Sequence, residues 1–283
     1  MTGLYRRDFI EMPELPEVET TLRGIEPSLL HQEVRKIVVR NASLRWPVPD
    51  EVNRAAGTTV SRCWRRAKYL LIEMEGAKGG LLIHLGLSGS LRICAVDDEP
   101  QKHDHVDIVL DNGQCIRFND PRRFGVFTWW DQPADQNPLL RNLGPEPLSD
   151  KFSGNHLRSR SRGRKGAVKN FIMDGKIVVG VGNIYASEAL FMAGIHPSRP
   201  AGRISAARYD ALCCAIRDVL ERAIRRGGTT LRDFHGSDGN PGYFAQELLV
   251  YGRESLPCFR CGTGIRKKVI GQRSSFFCPA CQR

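Results

Sequence analysis

The sequence predicts an α+β protein with more than one domain, and three patterns lead to this prediction. Apolar residues recur at helical spacing near the start, and short β-rich runs follow as far as Trp130. The later part is again helical and ends in four clustered cysteines. The chain has 283 residues, and about 150 residues per domain is the usual expectation. We therefore expect an N-terminal helix with a β-sandwich, a helical second domain and a small C-terminal module.

The first domain begins with an amphipathic helix, predicted from Glu17 to Leu30. Its apolar residues follow spacings of four, three and four and are Val18, Leu22, Ile25 and Leu29. From Val34 to Trp130 the pattern changes to short β-rich runs such as 68–74 and 81–85, and Asn112-Gly113 is typical of a hairpin turn. A β-sandwich or barrel is the natural interpretation.

A stretch rich in Pro, Asn, Asp and Gly then indicates a linker between domains. The helices predicted beyond it cover residues 168–173, 183–193 and 205–226. Between the linker and these helices, Arg158 to Lys169 is a run of Arg, Lys, Ser and Gly that we expect to be mobile and to face phosphates. The predicted division is an extension 1–11, a β-sandwich domain 12–131, a linker 132–150, a helical domain 151–246 and a zinc finger 247–283.

The charge balance favours a polyanionic partner. Lys and Arg total 42 against 31 Asp and Glu, which gives a formal charge of +11, and the isoelectric point is near 9.4. A mean hydropathy of −0.33 fits poorly with a membrane protein, and no apolar run reaches the roughly 20 residues that a membrane helix needs. We expect a cytoplasmic protein, although charge alone does not identify the polyanion.

Nine cysteines fall into two groups. Cys63, Cys94, Cys115, Cys213 and Cys214 are scattered, and we expect them to be buried apolar residues. The others form two C-x2-C pairs separated by sixteen residues, the spacing of a tetrahedral zinc site, and are Cys258, Cys261, Cys278 and Cys281. Two disulfides are the alternative, but a reducing cytoplasm disfavours them. The sequence thus predicts one structural Zn²⁺.

Several short motifs follow one another in order along the chain. They are Met12–Thr20, Arg65–Leu70, His84–Ser90, Lys102–Val106, Asp120–Gly125, Gly180–Tyr185, Gly239–Phe244 and the terminal cysteines. Together they resemble formamidopyrimidine-DNA glycosylase, a bacterial repair family for oxidised purines, over nearly all of 12–283. The resemblance implies that the second domain contains a helix-two-turns-helix DNA-binding element. It also implies a monomer that acts on damaged double-stranded DNA.

The same resemblance implies four catalytic residues. Pro13 would be the Schiff-base nucleophile at the sugar C1′, since removal of Met12 leaves a free secondary amine. Glu14 would be the acid that helps to open the sugar and release the base. Lys68 would bind phosphate and donate a proton in β-elimination, and Arg273 would grip phosphate beside the lesion and serve δ-elimination. Without the resemblance, Pro13 would simply introduce the first helix.

Extrusion of a base from a duplex leaves a gap that the protein must fill. By the resemblance, Leu87 is the apolar plug, in a position where better-known members carry methionine. Arg122 reaches the orphaned cytosine, and Phe124 is an aromatic wedge. Taken alone, Leu87 and Phe124 would more often be core residues.

Further DNA contacts are implied at His103, Arg122, Arg164 and Asn183, the last at a helix start after Gly180 and Gly182. Arg232 replaces a lysine that is often found at its position. The segment 236–242 matches a loop that folds over the extruded base. The alternative for the charged residues is ordinary solvated surface.

Residues 1–11 would hold the nitrogen of Pro13 in a peptide bond, and a tertiary amide cannot form an iminium ion. We expect either that translation begins at Met12 or that the leader is cleaved. Otherwise the protein would be a noncatalytic zinc-ribbon protein that binds damaged DNA. A second alternative is an oxidised-pyrimidine glycosylase of the same superfamily, although Glu14-Leu-Pro-Glu-Val18 resembles the purine branch more closely.

Overall fold

The computed structural model describes residues 12–133, 135–228 and 244–283. It has the predicted α+β organisation of a helix with a β-sandwich, a helical region and a C-terminal zinc finger. The α-helices are α1 Leu15–Leu29, α2 Gly154–Ser161, α3 Val168–Met173, α4 Asn183–Met192 and α5 Ala206–Arg225. The strands are β1 Glu33–Val39, β2 Thr58–Arg66, β3 Tyr69–Met74, β4 Gly80–His84, β5 Ser90–Ala95, β6 Asp104–Leu110, β7 Gln114–Asn119, β8 Val126–Trp130, β9 Arg266–Ile270 and β10 Arg273–Phe277.

Helix α1 starts two residues earlier than predicted because Pro16 lies in its first turn, where its missing N–H and fixed φ are tolerated. All four predicted apolar residues, Val18 to Leu29, are buried. The helix packs against β2, β5 and β3 of the β-domain and against α5 of the helical region. It therefore joins the β-domain to the helical domain and brings its N-terminus to their boundary.

The eight strands of the first domain pair antiparallel in the order β5-β7-β6-β1-β2-β3-β4-β8. The ladder is short at the β1–β2 joint, where Glu33 pairs with Thr59 and Val34 with Thr58. Apolar side chains from both halves of this ladder form one buried cluster with α1, so the halves act as the two layers of a sandwich. The loops at the ends of these strands carry five of the candidate site residues, Lys68, Leu87, His103, Arg122 and Phe124.

The helical region departs from prediction in two places. Helix α2 occupies part of the run that was expected to be mobile, and it begins where the Ser153 hydroxyl accepts a hydrogen bond from the His156 amide at 3.1 Å. The expectation for Lys169 was also wrong: this lysine is fully buried on α3 and does not face solvent. Helix α4 is buried on all sides, as expected of a central core helix.

Strands β9 and β10 form the hairpin of the zinc finger, with Gly271 and Gln272 at positive φ in the turn. Phe276 and Cys278 belong to the same buried cluster as the helical domain, so the finger packs directly on it. The five scattered cysteines were expected to be buried. This holds for Cys63, Cys115 and Cys213, but Cys94 is only half-buried and Cys214 is exposed on α5. Among the described residues, no helix combines the length and the apolar character needed to cross a membrane.

Candidate active site

The candidate site is centred on Glu14, whose side chain is buried at the N-terminus of α4. Its Oε2 accepts a hydrogen bond from the Gly182 amide at 2.7 Å, and its Oε1 accepts one from the Ile184 amide at 2.9 Å. A β-carbon at Gly182 would lie 2.2 Å from the Glu14 carboxyl carbon. The glycine at this position therefore lets the helix N-terminus close directly on the carboxylate, where the helix dipole favours negative charge.

Burial raises the pKa of Glu14 to about 7, and the positive charge of Lys68 and the amides of α4 counteract only part of that shift. The nearby carboxylate of Glu17 raises the pKa further. A carboxyl group with this pKa is protonated in a substantial fraction of molecules at neutral pH, so it can serve as a general acid. Pro13, the adjacent residue, is also buried.

Glu17 holds the start of α1 to α4. Its Oε2 accepts a hydrogen bond from the Glu14 amide at 3.0 Å, and its Oε1 accepts one from the Tyr185 hydroxyl at 2.7 Å. The Leu15 amide also donates to the Gly180 carbonyl at 3.1 Å. These hydrogen bonds cross the boundary between the β-domain and the helical domain, and they fix the positions of Pro13 and Glu14 relative to the helical domain. Sequence reasoning missed Glu17 because it appeared only as the first residue of an amphipathic helix.

Lys68 lies in the two-residue turn between β2 and β3, and the carboxylate of Glu146 holds this turn. Glu146 Oε1 accepts hydrogen bonds from the Ala67 amide at 2.7 Å and from Arg66 at 2.8 Å, while Oε2 accepts one from Arg65 at 2.7 Å. Arg65 also donates to Glu19 of α1 at 2.9 Å. The turn that presents Lys68 is thus anchored to a residue of the stretch between β8 and α2.

His84, at the end of β4, is a second residue whose importance appears only in the structure. Burial and the charges of Lys68 and Arg45 lower its pKa to about 4, so the imidazole is neutral at pH 7. Its Nδ1 accepts a hydrogen bond from the Gly86 amide at 2.9 Å, which leaves the proton on Nε2. His84 can therefore act as a hydrogen-bond donor beside Lys68.

The three residues expected to fill the gap that an extruded base leaves in the duplex lie in two adjacent loops. Leu87 follows β4 and is half-buried, while Arg122 and Phe124 follow β7 and are exposed. The guanidinium of Arg122 lies 5.6 Å from the centre of the Phe124 ring, and 42% of Phe124 is exposed. The β-sandwich therefore presents these side chains at one end, and Phe124 is not a core residue.

Buried Lys169 joins α3, α4 and the zinc finger. Its Nζ donates to Asn183 Oδ1 at 2.5 Å, to the Ser274 carbonyl at 3.0 Å and to Ser275 Oγ at 2.7 Å. Asn183 is the first residue of α4, directly after the glycine that contacts Glu14, and Ser274 follows the exposed Arg273. One lysine thus fixes the Arg273 hairpin relative to the helix that holds Glu14.

The remaining predicted DNA contacts are less closely connected to this cluster. His103 is a half-buried loop residue at a φ of 77°, with its ring centre 6.4 Å from that of His105. Arg164 packs over the ring of Phe171 at 5.3 Å, and its guanidinium is 4.0 Å from the Asp174 carboxylate. Arg232 and the segment 236–242 lie outside the described residues.

The four terminal cysteines converge as their spacing predicts. Their Sγ atoms all lie within 4.8 Å of one another, with 3.9 Å between Cys258 and Cys281 and 3.5 Å between Cys261 and Cys278. A tetrahedral Zn²⁺ with Zn–S bonds of about 2.3 Å separates its sulfur ligands by about 3.8 Å. The thiol set therefore fits one structural zinc ion.

Three family models match the chain in succession. The formamidopyrimidine-DNA glycosylase N-terminal domain matches residues 12–127, its H2TH domain matches 143–235, and a zinc finger found in FPG and IleRS matches 255–283. The chain belongs to the formamidopyrimidine-DNA glycosylase family. It is accordingly a DNA glycosylase of base-excision repair, in a family whose members are also AP lyases, and its C-terminal finger is the zinc finger of that family.

Relatives and solved structures agree with this assignment. The formamidopyrimidine-DNA glycosylase of Alteromonas mediterranea is 57% identical over 272 residues, which cover 96% of this chain and 100% of the relative. That of Syntrophotalea carbinolica is 59% identical over 273 residues, with the same coverage. The MutM (Fpg) protein of Thermus thermophilus superposes with a TM-score of 0.85 at 38% identity, covering 95% of this chain and 98% of that one. Lactococcus lactis Fpg in complex with DNA containing an abasic site gives a TM-score of 0.88 at 30% identity, covering 95% and 99%.

Proposed function

We propose that this protein removes 8-oxoguanine and formamidopyrimidines opposite cytosine from duplex DNA and then cuts the strand by β,δ-elimination through Pro13. The observation that carries this proposal is the buried Glu14 carboxyl beside Pro13, with a pKa of about 7 at the N-terminus of α4. It places a proton donor next to the residue whose free amine would be the nucleophile. Lys68 lies near enough to shift the same pKa.

The reaction requires Pro13 to be the first residue of the active form. Its secondary amine forms a bond to the sugar C1′, and the bond between C1′ and the damaged base breaks. The proton that the amine loses neutralises the departing base. Glu14 then protonates O4′ and the C1′–O4′ bond breaks, which leaves the Pro13 nitrogen and C1′ joined as a positively charged iminium ion. The iminium ion makes the C2′ proton acidic. Loss of that proton then expels the 3′ phosphate, and a second elimination expels the 5′ phosphate.

Two cations serve the eliminations in this proposal. Lys68, presented by the turn that Glu146 anchors, binds phosphate and donates a proton during β-elimination. Arg273 grips the phosphate beside the lesion from the exposed end of the finger hairpin. The zinc ion supplies no reaction step and keeps the finger folded, while Lys169 fixes that finger against α4.

The duplex would lie across the exposed loops and the start of α4. Leu87, Arg122 and Phe124 would fill the gap left by the extruded base, and Asn183, His103 and Arg164 would contact the DNA backbone. The division 12–131, 132–150, 151–246 and 247–283 is part of the same proposal. It supplies a β-domain and a helical domain on either side of Glu14. A bacterial protein of this kind would work in the cytoplasm, at the nucleoid.

Borohydride trapping tests the nucleophile directly. Two forms of the chain, begun at Met1 and at Met12, are incubated with a duplex that carries one 8-oxoguanine opposite cytosine, and intact masses are recorded for both. We expect a covalent adduct only with the form begun at Met12, because removal of that methionine makes Pro13 its first residue. We expect no adduct with an undamaged duplex. A form with intact residues 1–11 that traps equally well would overturn the role of Pro13.

Binding by both forms without any adduct would replace the lyase proposal with a noncatalytic damaged-DNA-binding protein. A substrate panel fixes the branch: faster excision of an oxidised pyrimidine than of 8-oxoguanine would overturn the purine assignment. The variant Glu14→Gln is the matched control, because it keeps the amine. It should still trap at a preformed abasic site while losing excision of 8-oxoguanine.

A further inference from the structure

The two loops that carry the proposed gap-filling residues are packed backbone to backbone. One loop joins β4 to β5 and carries Leu87, and the other joins β7 to β8 and carries Arg122 and Phe124. Gly86 has a φ of +67°, and a β-carbon there would lie 2.5 Å from the Gly125 nitrogen and 2.6 Å from the Phe124 carbonyl carbon. The loops are therefore in direct contact, with no side chain between them.

A single carboxylate beneath this contact is bonded to both loops. Asp120 is fully buried, and its Oδ1 accepts a hydrogen bond from the Ser88 hydroxyl at 2.7 Å. Its Oδ2 accepts one from the Gly125 amide at 2.7 Å. The Arg122 amide is shared between Asp120 Oδ1 at 3.3 Å and Ser88 Oγ at 3.2 Å. The residue that follows Leu87 and the residue that follows Phe124 are thus both bonded to one buried carboxylate.

The backbone of Asp120 forms further hydrogen bonds within the β-domain. The Asp120 carbonyl accepts a hydrogen bond from the ring Nε2 of His105 at 2.8 Å and from the Arg123 amide at 3.2 Å. Its own amide donates to the His103 carbonyl at 3.1 Å. The fully buried Asp120 therefore supports loops whose ends are exposed, since 42% of Phe124 is accessible to solvent.

We propose that Asp120 is a positioning residue that sets the spacing between Leu87 and the pair Arg122 and Phe124, with Ser88 as its link to the first loop. This inference rests on the proposed function. The side chains of Leu87, Arg122 and Phe124 must enter the DNA duplex as the damaged base leaves it. A change in their spacing therefore raises the free energy needed to extrude the base. The reaction at an abasic site is less sensitive, because no base has to be unstacked there.

The variant Asp120→Asn tests this proposal with little change in size. The Asn amide keeps only one acceptor atom. Its NH2 group faces either the Gly125 amide, which leaves two donors opposed, or Ser88 and the Arg122 amide, where it opposes the Arg122 donor and reverses the hydrogen bond to Ser88. We expect single-turnover excision of 8-oxoguanine to fall about 10- to 100-fold, the scale expected for losing hydrogen bonds to a charged group. Cleavage of a duplex with a preformed abasic site should stay close to wild type, so the ratio of the two rates falls.

Asp107→Asn is the matched control for a purely structural effect. Asp107 is also a buried carboxylate of the β-domain, and it accepts hydrogen bonds from Arg40 at 2.7 Å and from Arg117 at 3.0 Å. Its loss should lower the thermal midpoint and leave the ratio of the two rates unchanged. A change in Asp120→Asn that only matched this control would overturn the positioning role.

Two further variants keep the test decisive. Ser88→Ala removes one hydrogen bond to Asp120 and should lower the same ratio by a smaller factor, and it replaces the test if Asp120→Asn does not fold. In a variant that already carries Leu87→Ala and Phe124→Ala, adding Asp120→Asn should lower the ratio of the two rates only a little further. An unchanged ratio in folded Ser88→Ala, or a full extra loss in the variant with Leu87→Ala and Phe124→Ala, would refute the proposal. If the form that begins at Pro13 cleaves neither substrate, the proposed function has failed instead.

Discussion

Replacing Glu146 with Gln should destabilise the first domain and loosen the turn that carries Lys68. Glu146 accepts hydrogen bonds from Arg65, Arg66 and the Ala67 amide, and its side chain is 23% exposed. Removing one partner of a buried pair costs about 3 to 5 kcal/mol. Since Arg65 keeps Glu19 as a second partner and the site is partly exposed, we expect a loss of about 2 to 3 kcal/mol.

Urea unfolding followed by tryptophan fluorescence measures this loss in the first domain, because all four tryptophans lie between residues 46 and 130. Burial alone would raise the pKa of Glu146, but Arg65, the Ala67 amide and Arg66 outweigh it and hold the pKa below 4.5. The carboxylate therefore stabilises the fold above pH 4.5. The difference between wild type and Glu146→Gln should shrink as the pH falls through the folded-state pKa.

Glu221→Gln is the matched control, since Glu221 forms an exposed ion pair with Arg225 at 3.9 Å on α5. Its effect should stay within about 0.5 kcal/mol. At pH 7, Glu146→Gln should also slow strand cleavage at a preformed abasic site, because Lys68 is no longer held in place. A stability change as small as that of Glu221→Gln, with an unchanged cleavage rate, would refute the anchoring role.

Three further outcomes are expected. The folded-state pKa of Glu14 lies near 7, above its ordinary value of 4.5, so protonation of this carboxyl group stabilises the fold. As the pH rises from 4.5 through 7, wild type should therefore lose stability relative to Glu14→Gln. Single-turnover excision by wild type should decline over the rise through pH 7, because the acid loses its proton. Arg273→Ala should reduce the slope of log affinity against log salt for duplex DNA by about 0.9, as expected when one phosphate contact is lost, and an unchanged slope would count against that contact. Removal of zinc by a chelator, or the change Cys261→Ser, should abolish duplex binding but leave the unfolding transition of the first domain, followed by tryptophan fluorescence, unchanged. Loss of duplex binding together with loss of that transition would show that the finger also supports the first domain.

Several features could be predicted from the sequence because their signals are local. The zinc site depends on two short cysteine pairs, and all four thiols converge in the structure. Helix α1 depends on apolar spacing alone, and its predicted core residues are buried. The roles predicted for Pro13, Glu14 and Lys68 come from motif resemblance and remain predictions, although the structure gives Glu14 the raised pKa that an acid needs.

Other features could not be predicted because they depend on partners far away in the chain. Lys169 belongs to a basic run, and only the fold buries it beside Asn183, fourteen residues later, and Ser275, 106 residues later. Glu146 lies in a stretch that resembles a linker, yet it bonds to a turn about eighty residues earlier. Helix α2 was missed because it lacks a clear apolar stripe, and Ser153 caps it only once the backbone is helical.

By itself, then, the sequence determined the succession of helix, β-sandwich, helical region and zinc finger, the metal ligands and the motifs that resemble a repair glycosylase, because each is encoded by residues close together in the chain. Only the tertiary structure decided which charges are buried and what they hold. Asp120 appeared as part of a motif, but its bonds to both Ser88 and Gly125 exist only when two loops meet. Desolvation and hydrogen bonding depend on what surrounds a group in space, and neighbours in sequence do not specify that.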